Sequence, residues 1–147
     1  MHRSGTTYLG NIFNLSHETF VFHEPYNRKY GIAGLPFDYI NLEHNELAKI
    51  ILSKIISKKP LNFVRRCYRD SLSKALIRIA LGGKTENQWR LYRYLFQDRK
   101  LILKDPFLSK STCYIGKNYG LKSIVLIRHP CAVWNSIKKM NWTDVIQ

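Results

Sequence analysis

Three short apolar runs constrain this chain more than any other feature: residues 19–22, 101–103 and 123–127. Each stops at charged and turn-forming groups, His23-Glu24-Pro25, Lys104-Asp105-Pro106 and Arg128-His129-Pro130. Amphipathic stretches with helical spacing separate the runs. Strands joined through helices pair in parallel, because a crossover cannot be made by a tight hairpin. The last run, Ser-Ile-Val-Leu-Ile, is almost wholly apolar, the pattern of a strand covered on both faces at the centre of a parallel sheet. The sequence therefore predicts an α/β fold: an open, mostly parallel sheet with flanking helices.

Helices are expected at residues 6–15, 46–57, 63–81, 85–96, 107–119 and 132–140. Pro60 ends the second, Gly82-Gly83 closes the third, and Gly120 ends the fifth. Pro130 stands just before the last, where its fixed φ favours a helix start. The first helix has Tyr8, Leu9, Ile12, Phe13 and Leu15 as its apolar positions; the second has residues 47, 50, 51, 55 and 56. Residues 26–42, with Gly31, Gly34 and Pro36, read as a long loop, and such loops in compact domains are often functional. There is no internal repeat, and 147 residues make about one domain.

A net charge of +14 implies an anionic partner: nucleic acid, acidic lipid, or a polyanionic substrate. No nucleic-acid reading module is recognisable, so no specific nucleic-acid partner is expected. Lys54, Lys58 and Lys59 belong to a solvated basic surface. Arg65, Arg66, Arg69 and Arg78 read first as a solvated face; the alternative is a face for an anionic acceptor or for peripheral membrane contact. Cys67, Cys113 and Cys131 match neither a zinc spacing nor a disulfide framework. No metal site is expected, and no apolar run is long enough to cross a membrane. The expected setting is reducing and cytoplasmic. Trp89, Trp134 and Trp142 are expected to pack and not to stack on bases.

Ligands of open parallel sheets bind beyond the carboxyl ends of the strands. Glu24, Lys104 and Arg128 stand at those ends. A second ligand-binding candidate is the loop Arg3-Ser4-Gly5-Thr6-Thr7. Gly5 permits close backbone approach to an anion, and Ser4, Thr6 and Thr7 bring hydroxyl donors. The following helix presents unbonded N–H groups, and Arg3 suits forked contact with phosphate or sulfate oxygens. Taken alone, such a loop is more often an ordinary helix cap. It is not a Walker A loop, for it lacks the lysine and the second glycine. Arg128 and Ser136 can converge on one phosphate if the turn between them folds back; otherwise they pair a carboxylate and face solvent.

Together these stretches resemble the sulfotransferases that use 3′-phosphoadenosine 5′-phosphosulfate (PAPS), in their carbohydrate and tyrosylprotein branches. MHRSGTTYLGNIF is similar to their 5′-phosphosulfate loop, and IVLIRHPCAVWNS to their 3′-phosphate motif. LKDPFLSKS resembles a third block, and FHEP lies where those branches carry a catalytic glutamate. The order along the chain agrees. The likeness covers residues 1–142, although 27–98 add little beyond helical character.

The resemblance implies a P-loop-like sulfotransferase fold, with PAPS as co-substrate and no metal. It implies that Arg3, Ser4, Gly5, Thr6 and Thr7 cradle the 5′-phosphosulfate, with Arg3 also close to the chemistry. Arg128 and Ser136 hold the 3′-phosphate. Glu24 is the general base on the acceptor hydroxyl, and Lys104 balances charge on the leaving group. His23 is the rival base, since the cytosolic type uses histidine. Neighbours on a strand point to opposite faces, so only one of the two is expected to enter the site. Asp105 is expected to brace the turn after Lys104, and His129 to orient the turn after Arg128. The acceptor is expected to be a hydroxyl of a glycan or related molecule, itself anionic. The family's domain is longer and has a strand before the loop, so the chain is expected to be a fragment. Two alternatives follow: a PAPS-binding remnant without turnover, or a basic nucleic-acid-binding protein whose affinity falls steeply with salt.

Overall fold

The computed structural model describes residues 5–35, 40–65 and 70–139. At its centre β1 (Thr19–His23) and β2 (Lys100–Lys104) pair in parallel, with Phe20 opposite Leu101, Phe22 opposite Leu103 and His23 opposite Lys104. Alternation along β1 then decides what each face meets. Phe20 and Phe22 point towards α4 (Lys84–Leu95). Phe22 stacks on Trp89 with ring centroids 5.0 Å apart, and Phe20 lies 5.2 Å from Tyr92. Thr19, Val21 and His23 face the other way, towards α1 (Thr6–Asn14). The Thr19 hydroxyl donates to the Phe13 carbonyl, and Gly10 lies against Val21 and the stem of Lys104. α1 thus runs antiparallel to β1, and the sheet is sandwiched between two helices. Trp89 and Phe22 are fully buried, and each contributes about 1.5–3 kcal/mol by leaving water.

The rest of the core is built beneath the loop that follows β1. Asn45 caps α2 (Glu46–Ile56) by accepting from the Ala48 N–H at 2.9 Å. This helix buries Ala48, Ile51, Leu52 and Ile55, a helical stripe, and leaves Leu47, Ile50 and Ile56 exposed. Seven of the eleven positions of α2 are apolar, too many for one narrow stripe, so periodicity alone could not choose the inward face. A 3-10 helix, Pro106–Ser111, leads into α5 (Thr112–Tyr119). The buried Ser111 hydroxyl donates to the Ile40 carbonyl at 2.7 Å and accepts from the Leu42 N–H at 2.9 Å, locking this turn to the far end of the loop. α5 ends at Gly120, and α6 spans Pro130–Lys139.

Two expected elements come out differently. Residues 121–129 form no strand, and Ile124 and Ile127 are 68% and 81% exposed. Among the described residues the sheet has two strands. A strand needs a neighbour to bond its N–H and C=O groups, and no described strand lies alongside this run. Among the described residues, the helix expected over 63–81 forms as α3 (Leu72–Leu81). Phe63 is instead tied to the loop by an antiparallel bridge to Ile32, and its ring meets Phe22 edge-on. Arg65 is held with Arg90 on the buried carboxylate of Glu86, at 2.9 and 2.6 Å. α3 buries none of its residues, and Leu72 is 86% exposed. Arg66, Cys67, Arg69, Met140 and Trp142 lie outside the described residues. Among the described residues no helix is long and apolar enough to cross a membrane.

Candidate functional site

Lys104 ends β2 and shares the α1 side of the sheet with its register partner His23. Its stem passes beneath Gly10, and its side chain is only 7% exposed. The ammonium donates to Glu24 Oε1 at 2.7 Å and lies 3.0 Å from His23 Nε2. Lysine has donors and no acceptor, so His23 Nε2 must be the acceptor and the ring is neutral, with its proton on Nδ1. Burial, and then the charge of Lys104, hold the imidazole below its ordinary pKa, in keeping with that state.

Glu24 does not continue the strand. Its N–H donates to the Lys104 carbonyl at 2.8 Å, the last bond along this edge, and its φ is 47°. A residue with a Cβ pays about 1–2 kcal/mol for this left-handed conformation. The turn brings the carboxylate onto the same ammonium as His23. The expectation that only one of these neighbours enters the site is therefore corrected: strand alternation stops at His23, and both meet Lys104. Glu24 Oε2 accepts from Asn27 Nδ2 and from the Tyr30 hydroxyl, each at 3.0 Å. Burial by itself pushes the Glu24 carboxyl up. The hydrogen bonds from Lys104, Asn27 and Tyr30, with the charge of Lys104, outweigh it and hold the group below the usual carboxylate value.

The loop is wound tightly to achieve this. The Gly31 N–H donates to the Asn27 carbonyl at 2.6 Å, and the Ile32 N–H to the Pro25 carbonyl at 2.7 Å. A Cβ at residue 31 would overlap the Pro25 carbonyl, so this position requires glycine. Tyr26 is buried, with its hydroxyl donating to the Ala48 carbonyl at 3.1 Å. Asp105 ties the loop to β2: it accepts from the Tyr26 N–H at 2.7 Å and caps the following turn through the Phe107 N–H at 2.9 Å. Burial pushes its carboxyl up to about 7 against those two bonds. This is the bracing role expected of Asp105.

Of the residues expected in the site, Glu24 and Lys104 are brought into direct contact. Gly5, with φ 91°, heads α1, and its carbonyl accepts from the Leu9 N–H. Thr6 and Thr7 form the first turn. Because α1 runs antiparallel to β1, this turn lies towards the sheet end that carries Glu24 and Lys104. Arg3 and Ser4 lie outside the described residues. Arg128 is exposed and follows no strand, so its expected place at a strand end does not hold. Ser136 is half-buried in α6. His129 orients the start of that helix: its carbonyl accepts from Ala132 and Val133, and its Nδ1 from Cys131. Sequence reasoning missed Asn27 and Tyr30. Their one signal was polar side chains three and six residues after Glu24, just ahead of Gly31.

Among the described residues no group of three His, Cys, Asp or Glu side chains can hold a metal ion. No family model, curated protein or solved structure matches this chain. The chemistry must be read from the residues themselves. They supply a carboxylate able to accept a proton, a buried cation able to hold an anion, and a neutral imidazole, all at the carboxyl ends of two parallel strands.

Proposed function

We propose that this chain is a sulfotransferase-type domain that moves a sulfuryl group from PAPS to a hydroxyl of a glycan or related, anionic acceptor. The observation that carries the reading is the Glu24–Lys104 pair at the shared end of β1 and β2, 2.7 Å apart and braced from both strands. In this reading Glu24 takes the proton of the acceptor hydroxyl as its oxygen bonds to sulfur. The bridging S–O bond breaks, and Lys104 meets the charge left on the departing phosphate. Such transfer is chiefly positioning and charge stabilisation. Gly5, Thr6 and Thr7, with Arg3 and Ser4, cradle the 5′-phosphosulfate, and Arg128 and Ser136 hold the 3′-phosphate. The P-loop-like fold and these roles rest on the sequence resemblance.

One observation favours a second reading, a PAPS-binding domain without turnover: residues 123–127 stand outside the sheet, so Arg128 lacks a strand to fix it. The exposed apolar side chains of α3, Leu72 and Leu76 among them, would suit peripheral membrane contact. Transfer of label from PAPS to a panel of glycans tests the main reading. Turnover should occur, and Glu24→Gln should lower it by about 10²–10⁴-fold. Binding of PAPS with no transfer to any acceptor would leave the second reading.

A further inference from the structure

We propose that Lys104 is a movable cation that couples filling of the site to the basicity of Glu24: the resting protein holds it on Glu24 and His23, and a phosphate or sulfate group arriving at the ends of β1 and β2 takes it over. The inference rests on the functional reading above and adds regulation to the same site.

Glu24 is held by three side chains. Its three partners are of two kinds. Asn27 and Tyr30 are neutral and both sit on Oε2, while Lys104 is charged and sits on Oε1. The neutral pair comes from the tightly wound loop that Gly31 permits, so it fixes where the carboxylate lies. The cation comes from the opposite strand on a flexible four-carbon stem. Removing it would leave Glu24 in place and change chiefly its affinity for a proton.

A carboxylate gripped by an ammonium at 2.7 Å is a poor base. As found, Glu24 is well positioned to receive a proton and badly disposed to keep it. His23 is neutral and offers the ammonium only a lone pair, and among the described residues Glu24 is the carboxylate in direct contact with Lys104. A phosphate or sulfate group carries one or two charges and several acceptor oxygens, and can outbid a single carboxylate that is already shared. The carboxylate is then released for proton transfer only when an anion is present to be worked on.

Other charged and titratable groups face this cluster. Asp105, at the end of β2, is committed to the Tyr26 and Phe107 N–H groups. Lys84, at the start of α4, acts on His23 from across the sheet. Tyr30 titrates far above neutrality because of burial and the charge of Glu24. The first turn of α1 carries no acid. None of these replaces Lys104 as the partner of Oε1.

The test is a pH titration of the Glu24 carboxyl carbon by NMR in the full chain with labelled glutamate, the resonance assigned with E24Q. It is run empty, with adenosine 3′,5′-bisphosphate, and with inorganic pyrophosphate; calorimetry reads binding in parallel. Saturating anion should raise the Glu24 midpoint by about one pH unit or more. K104Q should show the raised midpoint without anion and no further change with it, and K104R should restore the low midpoint of the empty protein. Binding of either anion to the wild-type chain with an unmoved midpoint overturns the coupling and leaves the PAPS reading standing. Pyrophosphate that binds and moves Glu24, with no binding of the bisphosphate, upholds the coupling and removes the PAPS reading. Binding of neither overturns both.

Discussion

Breaking the Glu24–Lys104 pair should show how tightly the site is built into the fold. Lys104 is 7% exposed and Glu24 15%, so water screens the pair weakly. Removing one partner of such a pair costs about 3–5 kcal/mol, because the other charge is left buried. Glu24 keeps Asn27 and Tyr30, which places Lys104→Met at the low end, about 3 kcal/mol. For a chain of this length that lowers Tm by about 6–12 °C. Glu24→Gln should cost about 2 kcal/mol, since the Gln carbonyl and His23 still accept from Lys104. The double variant leaves no uncompensated charge. It should cost less than the sum of the singles, giving a coupling of about 2 kcal/mol at pH 7. The sign with pH follows from the pKa direction. Glu24 is held below its ordinary value when folded. Its contribution is therefore full above the unfolded value of about 4.3 and is lost as pH falls through the lower folded one. Urea unfolding of the four proteins at pH 7 and near pH 3 measures both. Additive losses at pH 7, or a coupling that grows in acid, would refute the reasoning.

Two further substitutions probe the supports of the site. Gly31→Ala drives a methyl group into the Pro25 carbonyl. It should cost about 1–3 kcal/mol by urea unfolding and release the Tyr30 hydroxyl from Glu24, seen as a rise in the Glu24 titration midpoint; an unchanged midpoint would mean the loop winding does not set the site. Phe22→Ala removes the ring stacked on Trp89 and should cost about 3–5 kcal/mol, with a red shift of tryptophan emission; a loss under about 1 kcal/mol would show that this stack is not central to the core.

Much of the fold was legible from local pattern. Residues 19–22 and 101–103 read as strands, and parallel pairing followed from the helices between them. Glu24 and Lys104 were placed together because both follow a strand, and the structure joins them. What the pattern could not give was whatever depends on a neighbour. An apolar run such as residues 123–127 becomes a strand only where another strand accepts its hydrogen bonds. Phe63 carries a helix-compatible sequence but is captured by Ile32, a contact thirty-odd residues away in the chain. The arrangement of the site escaped for a related reason. Alternation sends His23 and Glu24 to opposite faces unless the backbone turns, and the φ of 47° at Glu24 has no signature in residue type. Asn27 and Tyr30 reach Glu24 through a winding that only Gly31 hinted at.

The central claim is that this site receives PAPS, and the group that sets PAPS apart from ordinary nucleotides is its 3′-phosphate. Calorimetric titration of the chain with adenosine 3′,5′-bisphosphate and with 5′-AMP tests this most directly. Binding of the bisphosphate should be saturable and at least about tenfold tighter than that of 5′-AMP, as expected for one added charge-assisted contact, with Arg128→Ala erasing the difference. Equal affinity for the two nucleotides, or binding of neither, would contradict it.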